Sequence, residues 1–125
     1  MTDGHPPLTS LAARAFVPAR DYALSRRFYA AIGFGETWAT PEVALFEHGG
    51  TSFLLQNFHV QACTDNFMMQ LVVDDVDAWW RRISPVAAEF GVRIDAPQEQ
   101  PWGLRDFPLF DPSGVLWRIS EAGQD

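Results

Sequence analysis

A tryptophan flanked by a proline, a glycine and nearby carboxylates is the pattern in this chain that most suggests ligand chemistry. Trp102 lies between Pro101 and Gly103, with Glu99 before it and Asp106 after it. A loop aromatic with carboxylates nearby can stack on a planar cation. The pattern therefore predicts a binding loop for a planar, positively charged small molecule, and ordinary packing of the indole is the alternative.

Residues that would support metal or nucleophilic chemistry are few and scattered. His5, His48 and His59 have no spacing typical of metal ligands, and we expect each on the surface. Cys63 is the single cysteine, so the chain has no internal disulfide, and no partner residue marks this thiol as a nucleophile.

Composition limits the class of protein. The chain has 125 residues, of which 47% are apolar, and this predicts one folded domain over residues 1–125. A net charge of −7 argues against nucleic acid and favours a cationic ligand, although it also serves solubility. We expect a cytoplasmic protein, because the sequence shows neither a secretory leader nor an apolar run that could span a membrane.

Two halves of the chain repeat one another, and these elements must position the candidate residues. Module one covers about residues 13–58 and module two about 67–121. In each, a strand leads to a helix with an aspartate at its start and a glycine at its end, Gly33 and Gly91. A strand and a hairpin follow, and Leu45–Gly50 resembles Leu109–Gly114.

The expected strands are 13–17, 34–38, 43–47 and 51–58 in module one, and 67–73, 92–96, 107–110 and 115–120 in module two. Asp21 caps the first predicted helix, and Asp74 or Asp75 the second. Pro85 lies in the second helical pattern and predicts a kink or two short helices. The polar segment 59–66 is the predicted linker.

Several segments together resemble the glyoxalase/bleomycin-resistance/dioxygenase superfamily, also called vicinal oxygen chelate proteins. They are Arg20–Phe34, Asp74–Trp79 and Phe110–Gly114, while Glu99–Gly103 is similar to the bleomycin-resistance branch. The resemblance implies an α+β fold in which two paired βαβββ modules, with curved mixed sheets, form a cup.

The resemblance also implies where a divalent metal would be held, and those positions carry Arg14, Met68 and Arg118. Arginine has no lone pair to donate, and a thioether is too soft for such an ion. Gln56 could match a fourth position. We therefore expect no metal, no cofactor and no catalytic residue; a lyase, isomerase or dioxygenase with an atypical metal site is the alternative.

In bleomycin-resistance proteins the drug lies in a groove at a dimer interface, stacked on aromatic side chains. By resemblance we expect a homodimer that sequesters a planar cationic compound, such as one of the bleomycin type, without changing it chemically. The predicted ligand-binding residues are Trp38, Phe46, Glu47, Glu99, Trp102, Gly103 and Asp106. Arg14 and Arg118 could instead bind an anion if both face the cup, or pair with acidic side chains.

Overall fold

Two βαβββ modules follow one another along the chain in the computed structural model, which describes residue 4 and residues 6–123. His5 lies outside the described residues. The strands are β1 (Phe16–Pro18), β2 (Gly35–Ala39), β3 (Val43–His48), β4 (Thr51–Gln56), β5 (Met68–Val73), β6 (Gln98–Glu99), β7 (Arg105–Phe110) and β8 (Leu116–Glu121); the helices are α1 (Tyr22–Ile32), α2 (Gln61–Asp65) and α3 (Val76–Phe90).

Each module builds a mixed four-stranded sheet. The strand orders are β1-β4-β3-β2 and β5-β8-β7-β6, so the second sheet repeats the order of the first. In each sheet the first strand of the module pairs in parallel with the last strand, and the other neighbours are antiparallel. The predicted α+β fold with two βαβββ modules is thus confirmed.

Helices α1 and α3 begin and end at the predicted residues. The carboxylate of Asp21 accepts a hydrogen bond from the backbone N–H of Leu24, and Asp75, rather than Asp74, accepts from Ala78. Both helices end at a glycine with positive φ, Gly33 at 119° and Gly91 at 67°. The aspartate caps satisfy N–H groups that the first helical turn leaves without partners. The backbone N–H groups of the two glycines donate to carbonyls of the last turn.

Three details differ from the sequence-based expectation. The segment 92–96 forms no strand; only an isolated bridge joins Ile94 to Leu109, and the fourth strand of the sheet is β6. The expected linker 59–66 contains α2, which buries Thr64. Of the two outcomes predicted from Pro85, the division into two short helices is wrong, because α3 runs without interruption from Val76 to Phe90.

One apolar core joins the two modules, and each sheet contributes one face to it. Phe53 of β4 and Trp117 of β8 meet with ring centroids 5.3 Å apart, beside Tyr29 of α1. Successive strand residues point to opposite faces. Each sheet therefore has a second face that turns away from the core, and Phe16, Met68 and Val72 on these faces are each more than half exposed.

A buried hydrogen-bonded chain also joins the modules. The Tyr29 hydroxyl donates to Asp111 at 2.5 Å and accepts from Trp117 Nε1 at 2.9 Å. The other carboxylate oxygen of Asp111 accepts from the backbone N–H groups of Ser113 and Val115. The turn that carries the Asp-Pro-Ser-Gly sequence is therefore fixed to α1 of module one. No helix among the described residues is long and apolar enough to cross a membrane.

Candidate ligand site on two open sheet faces

The outward side of the second sheet carries the larger group of polar candidate residues. We call it the second open face and define it by Met68, Gln70, Val72, Asp106, Pro108, Phe110, Leu116 and Arg118. Strand register places these side chains in rows, since Arg118 lies opposite both Gln70 and Pro108. A cavity of about 290 Å³ lies on this face. It is lined by Asp106, Pro108, Phe110, Leu116 and Arg118 together with Arg93, Asp95, Ala96, Gln98 and Gln100.

Asp106 is on the second open face, but its carboxylate is not free. Arg118 Nη1 lies 3.3 Å from both carboxylate oxygens, and Gln100 Nε2 donates to one of them at 2.8 Å. These neighbours leave Asp106 only 1% exposed. Gln100 was not predicted as a partner of Asp106, since the contact depends on a β-hairpin that folds residue 100 back over residue 106.

Trp102 lies at the tip of the β6–β7 hairpin, next to this face. The hairpin closes when the backbone N–H of Gln100 donates to the carbonyl of Leu104. Gly103 has φ of 94°, a value that favours glycine, and it donates to the carbonyl of Gln100. The indole is 60% exposed. The predicted binding loop is thus a turn that presents a large aromatic to its surroundings.

The first sheet has an equivalent outward side, which we call the first open face. It comprises Phe16, Trp38, Leu45, Glu47, Leu54 and Gln56. Trp38 is 46% exposed and lies opposite Leu45, after an irregularity in the pairing of β2 with β3. Glu47 is exposed and accepts a hydrogen bond of 2.5 Å from the hydroxyl of Thr37.

Two of the predicted site residues point elsewhere. Phe46 is fully buried in the core, where its ring stacks on Phe53 with centroids 5.6 Å apart, so its neighbour Leu45 takes the outward position. Glu99 lies opposite Arg105, which contacts α3, and so it is on the helix side of the sheet rather than beside Asp106.

Arg105 forms the closest ion pair on that helix side. Its Nη1 and Nη2 atoms lie 2.7 Å and 3.1 Å from the two carboxylate oxygens of Asp77 at the start of α3. The hydrogen bonds from Arg105 lower the pKa of Asp77, and the same contact raises the pKa of Arg105. Glu99 adds negative charge to this pair, which further raises the pKa of Arg105.

The candidate residues therefore form two groups on two faces. Trp38 and Glu47 belong to the first open face, whereas Trp102, Gly103 and Asp106 belong to the second open face or its edge. Because the core lies between the two sheets, one chain does not bring the groups together. Arg14 and Arg118 are separated in the same way, since Arg14 Nε donates to Ser52 of the first sheet at 2.9 Å.

The residues at the expected metal positions of the second open face do not fit a divalent metal. Met68 is on the second open face and 59% exposed, and Arg118 of the same face is paired with Asp106. A thioether and a guanidinium are unsuited to such an ion. Among residues 4 and 6–123 no group of three or more His, Cys, Asp or Glu side chains could hold a metal ion.

Two βαβββ modules around one core, each with an open sheet face, define a known class of small α+β proteins. The chain matches the model of the Glyoxalase/Bleomycin resistance protein/Dioxygenase superfamily over residues 11–119. The chain belongs to this superfamily, which confirms the resemblance seen in its motifs.

Within the superfamily the chain is similar to bleomycin resistance proteins. One from Klebsiella pneumoniae is 28% identical over 111 residues, 82% of this chain and 86% of that protein. A crystal structure of a bleomycin-binding protein complexed with bleomycin has a TM-score of 0.78 at 26% identity, covering 90% of this chain and 98% of that one. The bleomycin-binding protein of Streptomyces verticillus, complexed with copper(II)-bleomycin, has a TM-score of 0.79 at 20% identity over 94% of this chain and 100% of that one.

Proposed function

We propose that this protein binds and sequesters a planar cationic compound of the bleomycin type, without chemical change to it. The observation that carries the proposal is the pair of exposed tryptophans, Trp38 and Trp102, one on each open face or its edge. An exposed indole offers a flat surface for stacking on a heterocycle. The similarity to bleomycin resistance proteins supports the choice of ligand.

The proposed binding unit is a homodimer. The two tryptophans lie on opposite sides of one chain, so a ligand cannot touch both within a single copy. Two copies related by a twofold axis would put the first open face of one against the second open face of the other, twice. The exposed apolar side chains of Phe16, Met68 and Val72 would be covered in the same step.

Charge supports a cationic ligand mainly on the first open face. Glu47 is exposed and accepts a hydrogen bond from Thr37 on the face that carries Trp38. The chain as a whole carries a net charge of −7, which attracts cations over long range. The proposed ligand-contacting residues are therefore Trp38, Glu47, Trp102 and Gly103, with Asp106 behind Arg118.

Titration of tryptophan fluorescence with metal-free and with copper-loaded bleomycin tests the proposal. We expect saturable quenching at micromolar drug in the wild-type protein, and the same in Trp80→Phe, a control that removes an indole on α3. If neither form of the drug quenches the tryptophan fluorescence, the proposal is wrong. Chromatography with light scattering measures whether the drug-binding species is a dimer.

Metal analysis tests whether the site is free of metal chemistry. The proposal includes no metal because of the donors at Met68 and Arg118. A divalent ion that is stoichiometric with the purified protein and survives dialysis would contradict this part. It would favour the reading of the chain as a lyase, isomerase or dioxygenase of the superfamily.

A further inference from the structure

We propose that the cavity on the second open face binds a small planar carboxylate and that the guanidinium of Arg118 donates hydrogen bonds to its carboxylate oxygens. The inference rests on the proposed function only in taking this face to be a ligand surface, and it names the chemical class of a small molecule that this cavity would bind. It also changes the role of Asp106 from a contact for a cation to a residue that positions Arg118.

Arg118 has an unused side of its guanidinium. Its contacts to Asp106 are both made by Nη1, at 3.3 Å. Nε and Nη2 have no hydrogen-bond partner among the described residues, and the side chain is 30% exposed where it lines the cavity. The edge formed by Nε and Nη2 is a fork of parallel donors, the geometry that matches the two oxygens of a carboxylate.

The rest of the cavity suits the flat apolar part of such a ligand. Pro108, Phe110 and Leu116 occupy adjacent positions of β7 and β8 and line the cavity together with Ala96. The volume of about 290 Å³ is near the lower limit of small-molecule pockets, which favours a single ring over an extended drug.

Local charge permits an anion here in spite of the acidic chain. The charged residues that line the cavity are two arginines and two aspartates, paired as Arg93 with Asp95 at 3.0 Å and Arg118 with Asp106. The lining is therefore formally neutral within a chain of net charge −7. A cation would have to displace Arg118 from Asp106, whereas a carboxylate can use donors that are already free.

The hydrogen bond from Gln100 makes Asp106 a positioning residue. Gln100 and Arg118 both hold the carboxylate, which is 1% exposed and so is covered from a ligand. Held in this way, Asp106 fixes Nη1 and leaves the other edge of the guanidinium facing away from it. A ligand would meet Arg118 first.

An NMR titration with benzoate and with benzamide tests the inference. The two probes share a ring and differ in charge, so their comparison isolates the carboxylate. We expect saturable amide shifts centred on Gln98, Phe110 and Leu116, with benzoate bound about tenfold or more tightly than benzamide. Equal affinities, or shifts centred elsewhere, would overturn the inference.

Substitutions identify the side chain that binds the carboxylate of benzoate. Arg118→Gln should abolish the preference for benzoate, and Arg118→Lys should reduce it, because an ammonium keeps the charge and loses the fork. Arg14→Gln, which changes an arginine hydrogen-bonded to Ser52 of the first sheet, is the matched control and should keep the preference. If Arg93→Gln abolishes the preference and Arg118→Gln does not, the assignment to Arg118 is wrong.

Stability and drug binding are followed separately. Because Arg118→Gln leaves Asp106 buried without its cation, the double variant Asp106→Asn/Arg118→Gln serves as a neutral pair whose fold is checked by circular dichroism. If bleomycin quenches the tryptophan fluorescence but benzoate binds no more tightly than benzamide, this inference is wrong and the proposed function stands. A benzoate preference without bleomycin quenching would overturn the proposed drug and keep the carboxylate site.

Discussion

At the scale of single residues, exposure distinguishes Trp38 and Trp102 from the other three tryptophans, which are buried or packed against the core. Trp102 and Trp38 are 60% and 46% exposed, whereas Trp117 is inside the core and donates its N–H to Tyr29. A buried indole with a satisfied N–H is structural. An exposed indole at the tip of a tight hairpin has no such packing role, and this is why the binding proposal depends on Trp102.

Replacing Trp102 by alanine should weaken bleomycin binding by roughly 1–3 kcal/mol, the usual range for loss of one aromatic stacking surface. Isothermal titration calorimetry measures the effect without relying on the removed fluorophore. Trp80→Phe should bind as the wild type does. Unchanged affinity in Trp102→Ala would remove this residue from the site.

Asp111 predicts a pH-dependent stability. Burial raises its pKa, and the hydrogen bonds from Tyr29 and from the backbone of Val115 and Ser113 only partly oppose this. A raised pKa in the folded state means that the contribution of Asp111 to stability is fully present below the unfolded value, about 3.9, and is lost as pH rises through the folded value.

Asp111→Asn removes this dependence. Urea unfolding of both proteins, from below the ordinary aspartate pKa to neutral pH, should show the wild type losing stability relative to the variant as pH rises. A difference that is constant, or that grows in favour of the wild type, contradicts the expectation. Near-ultraviolet circular dichroism establishes whether the variant keeps the native packing around Trp117.

At the scale of elements, helix ends were well predicted from the sequence and strand faces were not. An aspartate cap and a terminal glycine act through local backbone geometry, so Asp21 and Gly33 could be assigned directly. The face of a strand depends on register, and register is set by pairing with distant residues.

A shift of one residue in strand register places matching residues of the two modules on opposite faces of their sheets. Aligned by letters, Phe46 of β3 matches Phe110 of β7, yet Phe46 lies in the core and Phe110 lines the outward cavity. The two hairpins differ in length, because His48 lies opposite Thr51 whereas Phe110 lies opposite Leu116. Phe46 and Glu99 therefore do not lie on the same face as the other predicted site residues.

The adjacent aspartates before α3 allow a controlled test of its cap. Asp75→Ala should lower the free energy of unfolding by about 1 kcal/mol, because the backbone N–H of Ala78 loses its acceptor. Asp74→Ala, which changes the neighbouring residue without touching the cap, should have a smaller effect. Urea denaturation measures both, and equal losses would contradict the assignment of the cap to Asp75.

At the scale of the whole molecule, the proposed dimer divides each binding site between two chains. Trp38 of one copy and Trp102 of the other would contribute to the same site. The fold of one chain could be predicted from its motifs, but this division could not, because it depends on the core lying between the two sheets and leaving their open faces apart.

Mixed dimers test the division. If Trp38→Ala and Trp102→Ala chains are combined, a heterodimer has one site with both indoles and one with neither. Bleomycin should therefore bind the mixture with a fraction of sites at wild-type affinity, measured by calorimetry after subunit exchange. Uniformly weakened binding in a mixture shown to contain heterodimers would mean that both indoles act within one chain.

The turns of the two hairpins have unequal freedom, and this determines where the chain can be extended. The turn from Asp111 to Gly114 is fixed by Tyr29 and by Arg20, whose backbone N–H donates to Ser113 at 2.9 Å. At the corresponding turn of module one, a Cβ at Gly49 or Gly50 would meet no atom of the described residues within 4 Å, apart from those of its neighbours in the chain. A peptide tag or a fluorophore-bearing loop should therefore be accepted between Gly49 and Gly50, whereas an insertion between Asp111 and Gly114 would break the hydrogen bonds that join this turn to Tyr29 and Arg20.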